Sequence, residues 1–76
     1  MSKQEMLVEF CIQDIIEFIV NDKNIDYDEA MQLFYTSETF DKLNDIETGL
    51  YLESAAYIYG IFLDELKDGR IIQKEL

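Results

Sequence analysis

The chain is predicted to fold as an all-α domain, a bundle of three to four helices spanning residues 1–76. Three observations lead there. It has no proline and only three glycines, too little punctuation for many short strands joined by turns. Apolar residues recur at three- and four-residue spacing instead of alternating. The apolar fraction is 49%, enough to build a core despite a formal net charge of −11, so a folded domain is expected rather than a disordered chain. A chain this short buries only about 60% of the surface its unfolded form exposes, which leaves its stability small or shared with a partner.

The first helix is predicted over residues 4–21. Val8, Cys11, Ile12, Ile15, Ile16 and Ile19 form one stripe, with Glu5, Glu9, Gln13 and Glu17 spaced by fours on the other side. Leu7, Phe10 and Phe18 widen the apolar face beyond that stripe. Such a helix must meet neighbours on two sides or pack against another molecule. Residues 21–24 (NDKN) end it.

The second helix has a clear start. Asp26 is placed to cap it, Glu29 completes a D-x-x-E capping pattern, and Ile25 can staple onto Ala30. Its inward face is predicted as Tyr27, Ala30, Met31 and Phe34. Ser37, or Thr36, caps a short third helix through SETFDKLND, with Phe40 and Leu43 facing inward. Gly49 marks a turn that other residues would resist, and Leu50, Tyr51 and Leu52 read equally as an extended piece or a helical turn. Ser54 caps the last helix, AAYIYGIFLDELK, whose stripe is Ala55, Ile58, Tyr59, Phe62 and Leu66 and whose end is Gly69. Gly60 inside it costs roughly 1 kcal/mol against alanine; either another helix approaches closely there or the position is merely tolerant. The tail RIIQKEL has three open readings: a strand, a segment packed back, or a frayed end.

Composition excludes several function classes. With no histidine in the chain, neither a Cys–His nucleophile pair nor a histidine metal site can be built within it. The single cysteine, Cys11, forms no internal disulfide and lies within the apolar helical pattern, where a buried thiol is expected over a reactive one. The N-terminus lacks the pattern of a signal peptide and the apolar runs are too short to span a bilayer, so a cytoplasmic location is expected. Residues 22–30, DKNIDYDEA, place Asp22, Asn24, Asp26 and Asp28 at the alternating positions of a calcium loop. However, the glycine position is Tyr27 and the bidentate-glutamate position is Leu33, so the stretch reads as a capping loop. Asp41, Asp45 and Glu47 lie in a polar run rather than an apolar pocket, so general acid–base work is not expected of them. No catalytic residue, metal or cofactor is predicted, and the protein is not read as an enzyme.

Charge is the strongest pointer to a partner. Residues 26–54 hold eight acids and one lysine, the larger part of the −11. Such a surface repels nucleic acid and anionic membranes and attracts basic proteins, although acidity also serves solubility alone. Mimicry of a DNA backbone needs carboxylates spaced along one long face, and the only long helix has few. Of the five tyrosines, most are expected to be ordinary half-buried core. Those beside the acidic stretch combine an apolar ring with a hydrogen-bonding tip and offer a seat for arginine. Tyr35, Asp41, Asp45, Glu47 and Tyr51 are therefore predicted as contacts to a basic protein. The alternative is a homodimer formed through the broad apolar face of the first helix.

From Phe34-Tyr35 through Ser37, Thr39, Phe40, Leu43, Asp45, Glu47, Thr48, Leu50 and Tyr51 to Ser54, the chain resembles a family of small uncharacterised bacterial proteins. The likeness extends back over Glu29-Ala30-Met31-Gln32-Leu33 and departs from the pattern at Gly49 and Ala55, where lysine and proline are expected. Members of that family tend to lie beside toxin–antitoxin-like genes. The resemblance thus implies an antitoxin-like or accessory role and carries no known chemistry.

Overall fold

The computed structural model describes residues 2–68, which form four α-helices and two short 3-10 turns with no strand among them. Helix α1 (Lys3–Lys23) starts at a reciprocal cap. Ser2 Oγ accepts the Glu5 N–H and the Glu5 carboxylate accepts the Ser2 N–H, both at 3.1 Å. It ends at Asn24, whose φ of 57° lies in the left-handed region that asparagine tolerates. Helix α2 (Tyr27–Tyr35) begins where the Asp26 carboxylate accepts the Glu29 N–H at 2.8 Å.

Helix α3 (Glu38–Asn44) is capped by Ser37, whose Oγ accepts the Phe40 N–H at 3.0 Å. Thr36 does a different job, donating its hydroxyl to the Gln32 carbonyl at 2.9 Å to close α2. Leu50, Tyr51 and Leu52 form a 3-10 turn, not an extended piece, following a first one at Ile46–Thr48. Gly49 between the two turns has φ +70°, as its predicted turn role requires. Helix α4 (Ala55–Asp68) starts with Ser54 Oγ accepting the Tyr57 N–H at 3.1 Å.

The core is one cluster. Val8, Ile12, Ile15, Ile16 and Ile19 from α1 meet Ala30 and Phe34 from α2, Leu43 from α3, and Ile58 and Phe62 from α4. Phe34 is at its centre, edge-on to Phe62 at 5.3 Å and to Phe40 at 5.7 Å, the arrangement that aligns ring edge with ring face. The domain is flat, 33 × 32 × 18 Å. In a slab that thin, α1 contacts α2, α4 and the second 3-10 turn and keeps a side of its own in the open.

Two expectations, at Tyr27 and Leu66, change against this packing. Tyr27 lies at the angle of Phe34 on α2 but is 54% exposed. It stands in the first turn, beyond the core, and lines an open cleft together with Gln13, Glu17 and Val20 of α1. Leu66 is likewise exposed, in the last described turn of α4. Gly60 meets no close neighbour: a Cβ there would project into open space. Ile16 is buried at 1% exposure, so the open part of α1 is the side bearing Leu7, Phe10 and Phe18. The expected cap at Gly69 and the tail lie outside the described residues.

Candidate protein-binding surface

The acidic stretch becomes one edge of the slab, made from α3 and the two 3-10 turns. Elements of seven and three residues are too short to persist alone, and polar side chains hold each of them. Ser37 Oγ donates to the Phe34 carbonyl at 2.6 Å while capping α3. The Glu65 carboxylate reaches across from α4 and accepts three hydrogen bonds at the start of α3. These come from the Glu38 N–H at 2.8 Å, the Thr39 N–H at 3.0 Å and the Thr39 hydroxyl at 2.8 Å. Thr39 is fully buried, so its hydroxyl needs that partner. A carboxylate at a helix N-terminus also meets the positive end of the helix dipole.

The far end of α3 is tied as closely. The Asp45 carboxylate accepts the Glu47 N–H at 3.1 Å. Thr48 Oγ1 donates to the Lys42 carbonyl at 2.7 Å and accepts the Leu50 N–H at 3.1 Å, linking α3 to both turns. The second turn then meets α1, where Cys11 Sγ donates weakly to the Tyr51 carbonyl at 3.8 Å. Burial, and secondarily the negative charge of Asp14, push the Cys11 thiol above its ordinary range. It stays protonated at neutral pH and is a poor nucleophile.

Asp41, Asp45 and Glu47 are all exposed on this edge, with Asp45 and Glu47 joined through the cap. Tyr35 is exposed at the end of α2, its ring 4.9 Å from that of Phe40. Tyr51 is half-buried and packs against the core. The exposed acids therefore lie along one short segment of chain, with an aromatic at each end of its sequence. Asp22 and Asp26 do not converge as calcium ligands would. Asp26 caps α2 and Asp22 accepts the Tyr59 hydroxyl at 2.8 Å. Among the described residues no group of three or more His, Cys, Asp or Glu is placed to hold a metal ion, and no helix is long and apolar enough to cross a membrane.

Sequence reasoning misses Glu65 altogether, because its partners lie 26 and 27 residues away. It places Tyr59 on the inward stripe of α4 but misses its hydroxyl, which ties α4 to the end of α1. Burial, the hydrogen bond to Asp22 and the charge of Asp22 push that hydroxyl up to about 12. The available signal for Glu65 is indirect: Thr39 falls on the inward face of α3, where a hydroxyl demands a partner. Set against known proteins, the chain matches no family model, no curated protein and no solved structure.

Proposed function

We propose that the protein is a non-enzymatic binding module whose acidic edge docks onto a basic protein, in an antitoxin-like or accessory role. One observation carries this reading. Asp41, Asp45 and Glu47 project from a backbone whose short elements are pinned at both ends by side-chain hydrogen bonds. Charges fixed before encounter cost little ordering when a partner binds, and they steer a basic partner toward the surface. Tyr35 and Tyr51 add ring surface beside them. The antitoxin-like part rests on the family resemblance of residues 29–54 alone.

The test starts with affinity capture at low and high salt, to identify a stoichiometric basic partner that high salt releases. The double variant Asp41→Lys, Asp45→Lys should then lower the association rate constant by about tenfold and flatten its salt dependence. An unchanged rate and salt slope would remove the acidic edge from the interface.

A second reading, a homodimer through α1, is favoured by the exposure of Leu7, Phe10 and Phe18 on one side of that helix. Because Ile16 is core, a charge there would unfold the protein rather than test the dimer. The informative variant is Phe10→Glu, at a position 56% exposed. Light scattering that shows a dimer for the parent and a monomer for the variant would support self-association; a monomer in both would remove it.

A further inference from the structure

The groove between α1 and α4 has no part in the acidic edge. Phe18, Asn21 and Asp22 line one wall, and Ala56, Tyr59 and Leu63 the other, around an open space of about 590 Å³. The rings of Phe18 and Tyr59 lie 5.4 Å apart at its base, and the Tyr59–Asp22 hydrogen bond fixes the tyrosine. Along α1, residues 10, 14, 18 and 22 recur every fourth position, so Phe10, Asp14, Phe18 and Asp22 form a single line of alternating rings and carboxylates. All four are exposed, and no basic residue interrupts the line.

We infer that this groove seats an amphipathic helix with lysines or arginines flanking its apolar face, at a site separate from the acidic edge. Charge complementarity selects the occupant. A second copy of the chain would bring another −11 against a line already carrying Asp14 and Asp22, whereas a basic helix places its cations between them. Spacing selects the shape. Apolar residues three, four and seven apart on a partner helix match rings spaced along α1, with one side chain entering between Phe18, Tyr59 and Leu63. A small molecule is poorly served, since an open groove leaves much of it in water.

The test uses two synthetic peptides of identical lysine and leucine content, one ordered as an amphipathic helix and the other scrambled. Each is titrated into isotopically labelled protein and followed by amide chemical shifts. The ordered peptide should perturb Phe18, Asn21, Asp22, Ala56, Tyr59 and Leu63, and the scrambled one should bind at least tenfold more weakly. Phe18→Ala should weaken the ordered peptide about tenfold. Phe10→Ala, at a surface position whose loss spares the core, should weaken it severalfold. Equal binding of the two peptides, perturbations centred on α3, or indifference to both substitutions would overturn the proposal. A concentration-dependent dimer burying these residues would overturn it in favour of a second copy. The Asp41→Lys, Asp45→Lys protein separates the two surfaces. Retention of ordered-peptide binding within about threefold leaves the groove standing even if the acidic edge fails, and a loss as large as that of Phe18→Ala counts against the groove.

Discussion

The acidic edge and the α1–α4 side of the molecule are held together by different physics. On the α1–α4 side, long helices bury isoleucine and phenylalanine, and stability comes from area and shape. Along residues 36–52, a seven-residue helix and two three-residue turns bury little beyond Ser37, Thr39, Leu43 and parts of Phe40, Leu50 and Tyr51. There, directed hydrogen bonds from Ser37, Glu65, Asp45 and Thr48 substitute for area. The difference teaches where each region is fragile. Packing loses stability in proportion to atoms removed, while a hydrogen-bonded edge loses its local order when a single acceptor goes.

The largest expected effect tests the packed side. Phe34→Ala removes a fully buried ring that touches both Phe40 and Phe62, and should cost about 3–5 kcal/mol. A domain of this size holds only about 4–11 kcal/mol in total, so much of the population should unfold. Denaturant melts followed by circular dichroism will show it; a loss below about 1 kcal/mol would mean Phe34 is not the centre of the core.

Next comes the edge. Glu65→Ala strips the acceptor from two backbone N–H groups and from the buried Thr39 hydroxyl. Stranded donors should cost about 1–3 kcal/mol, and the damage should be local. Amide exchange at α3 should accelerate well before that of α1, whereas in Phe34→Ala all helices should open together. Uniform acceleration in Glu65→Ala would erase the distinction between the two regions.

A smaller effect concerns the tie between α4 and α1. The Tyr59 hydroxyl is raised in the folded state, so it binds its proton more tightly there than in the unfolded chain. Its contribution is therefore fully present below pH about 10, the ordinary value for tyrosine, and disappears as pH rises toward about 12. Tyr59→Phe should cost about 1 kcal/mol at neutral pH, the bond being partly exposed to water. It should also flatten the fall in melting temperature above pH 10. A parent and variant that lose stability in parallel through that window would show that the Asp22 bond is not maintained in solution.

The same division explains what can be read from the chain. Caps are local chemistry, so Asp26, Ser37 and Ser54 announce their helices; Ser2 and Glu5 carry the same signature in plain spacing. Periodicity places Ile12, Ile15, Ile19, Phe34, Leu43, Ile58 and Phe62 inside. It reports angle around a helix, however, and not whether another element stands above, which is why Tyr27 and Leu66 share the core angle and remain in solvent. The choice between turn and strand at Leu50, Tyr51 and Leu52 depends on the Thr48 hydroxyl and on Cys11, some 40 residues from Tyr51. Of the candidate site, the carboxylates are legible as composition. Their fixed presentation is not, because Glu65 contributes to it from α4, 26 and 27 residues away. The groove is half legible: Phe10 and Phe18 show surplus apolar width on α1, but nothing local tells that Tyr59 will stand opposite.

The smallest expected effect runs toward stability, at a place that neither kind of bonding uses. Gly60 sits in the interior of α4, exposed, with a helical backbone and empty space where a Cβ would be. Alanine there would restrict the unfolded chain and improve helix propensity without touching a neighbour, a gain of about 0.5–1 kcal/mol. For a domain this short that is a rise of roughly 2–8 °C in melting temperature. Residue 60 is next in sequence to the groove residue Tyr59 but is not itself among the residues that line the groove, so the added methyl tests how far a partner seated there extends over α4. The acidic edge should bind its partner unchanged. If a partner helix approaches α4 closely at this position, the added methyl would stand between them, and the ordered peptide should bind more weakly even as the protein becomes harder to melt. Gain of stability with unaltered peptide affinity would place the partner over α1 instead, along Phe10 and Phe18. A loss of stability would mean that the space above Gly60 is filled in solution.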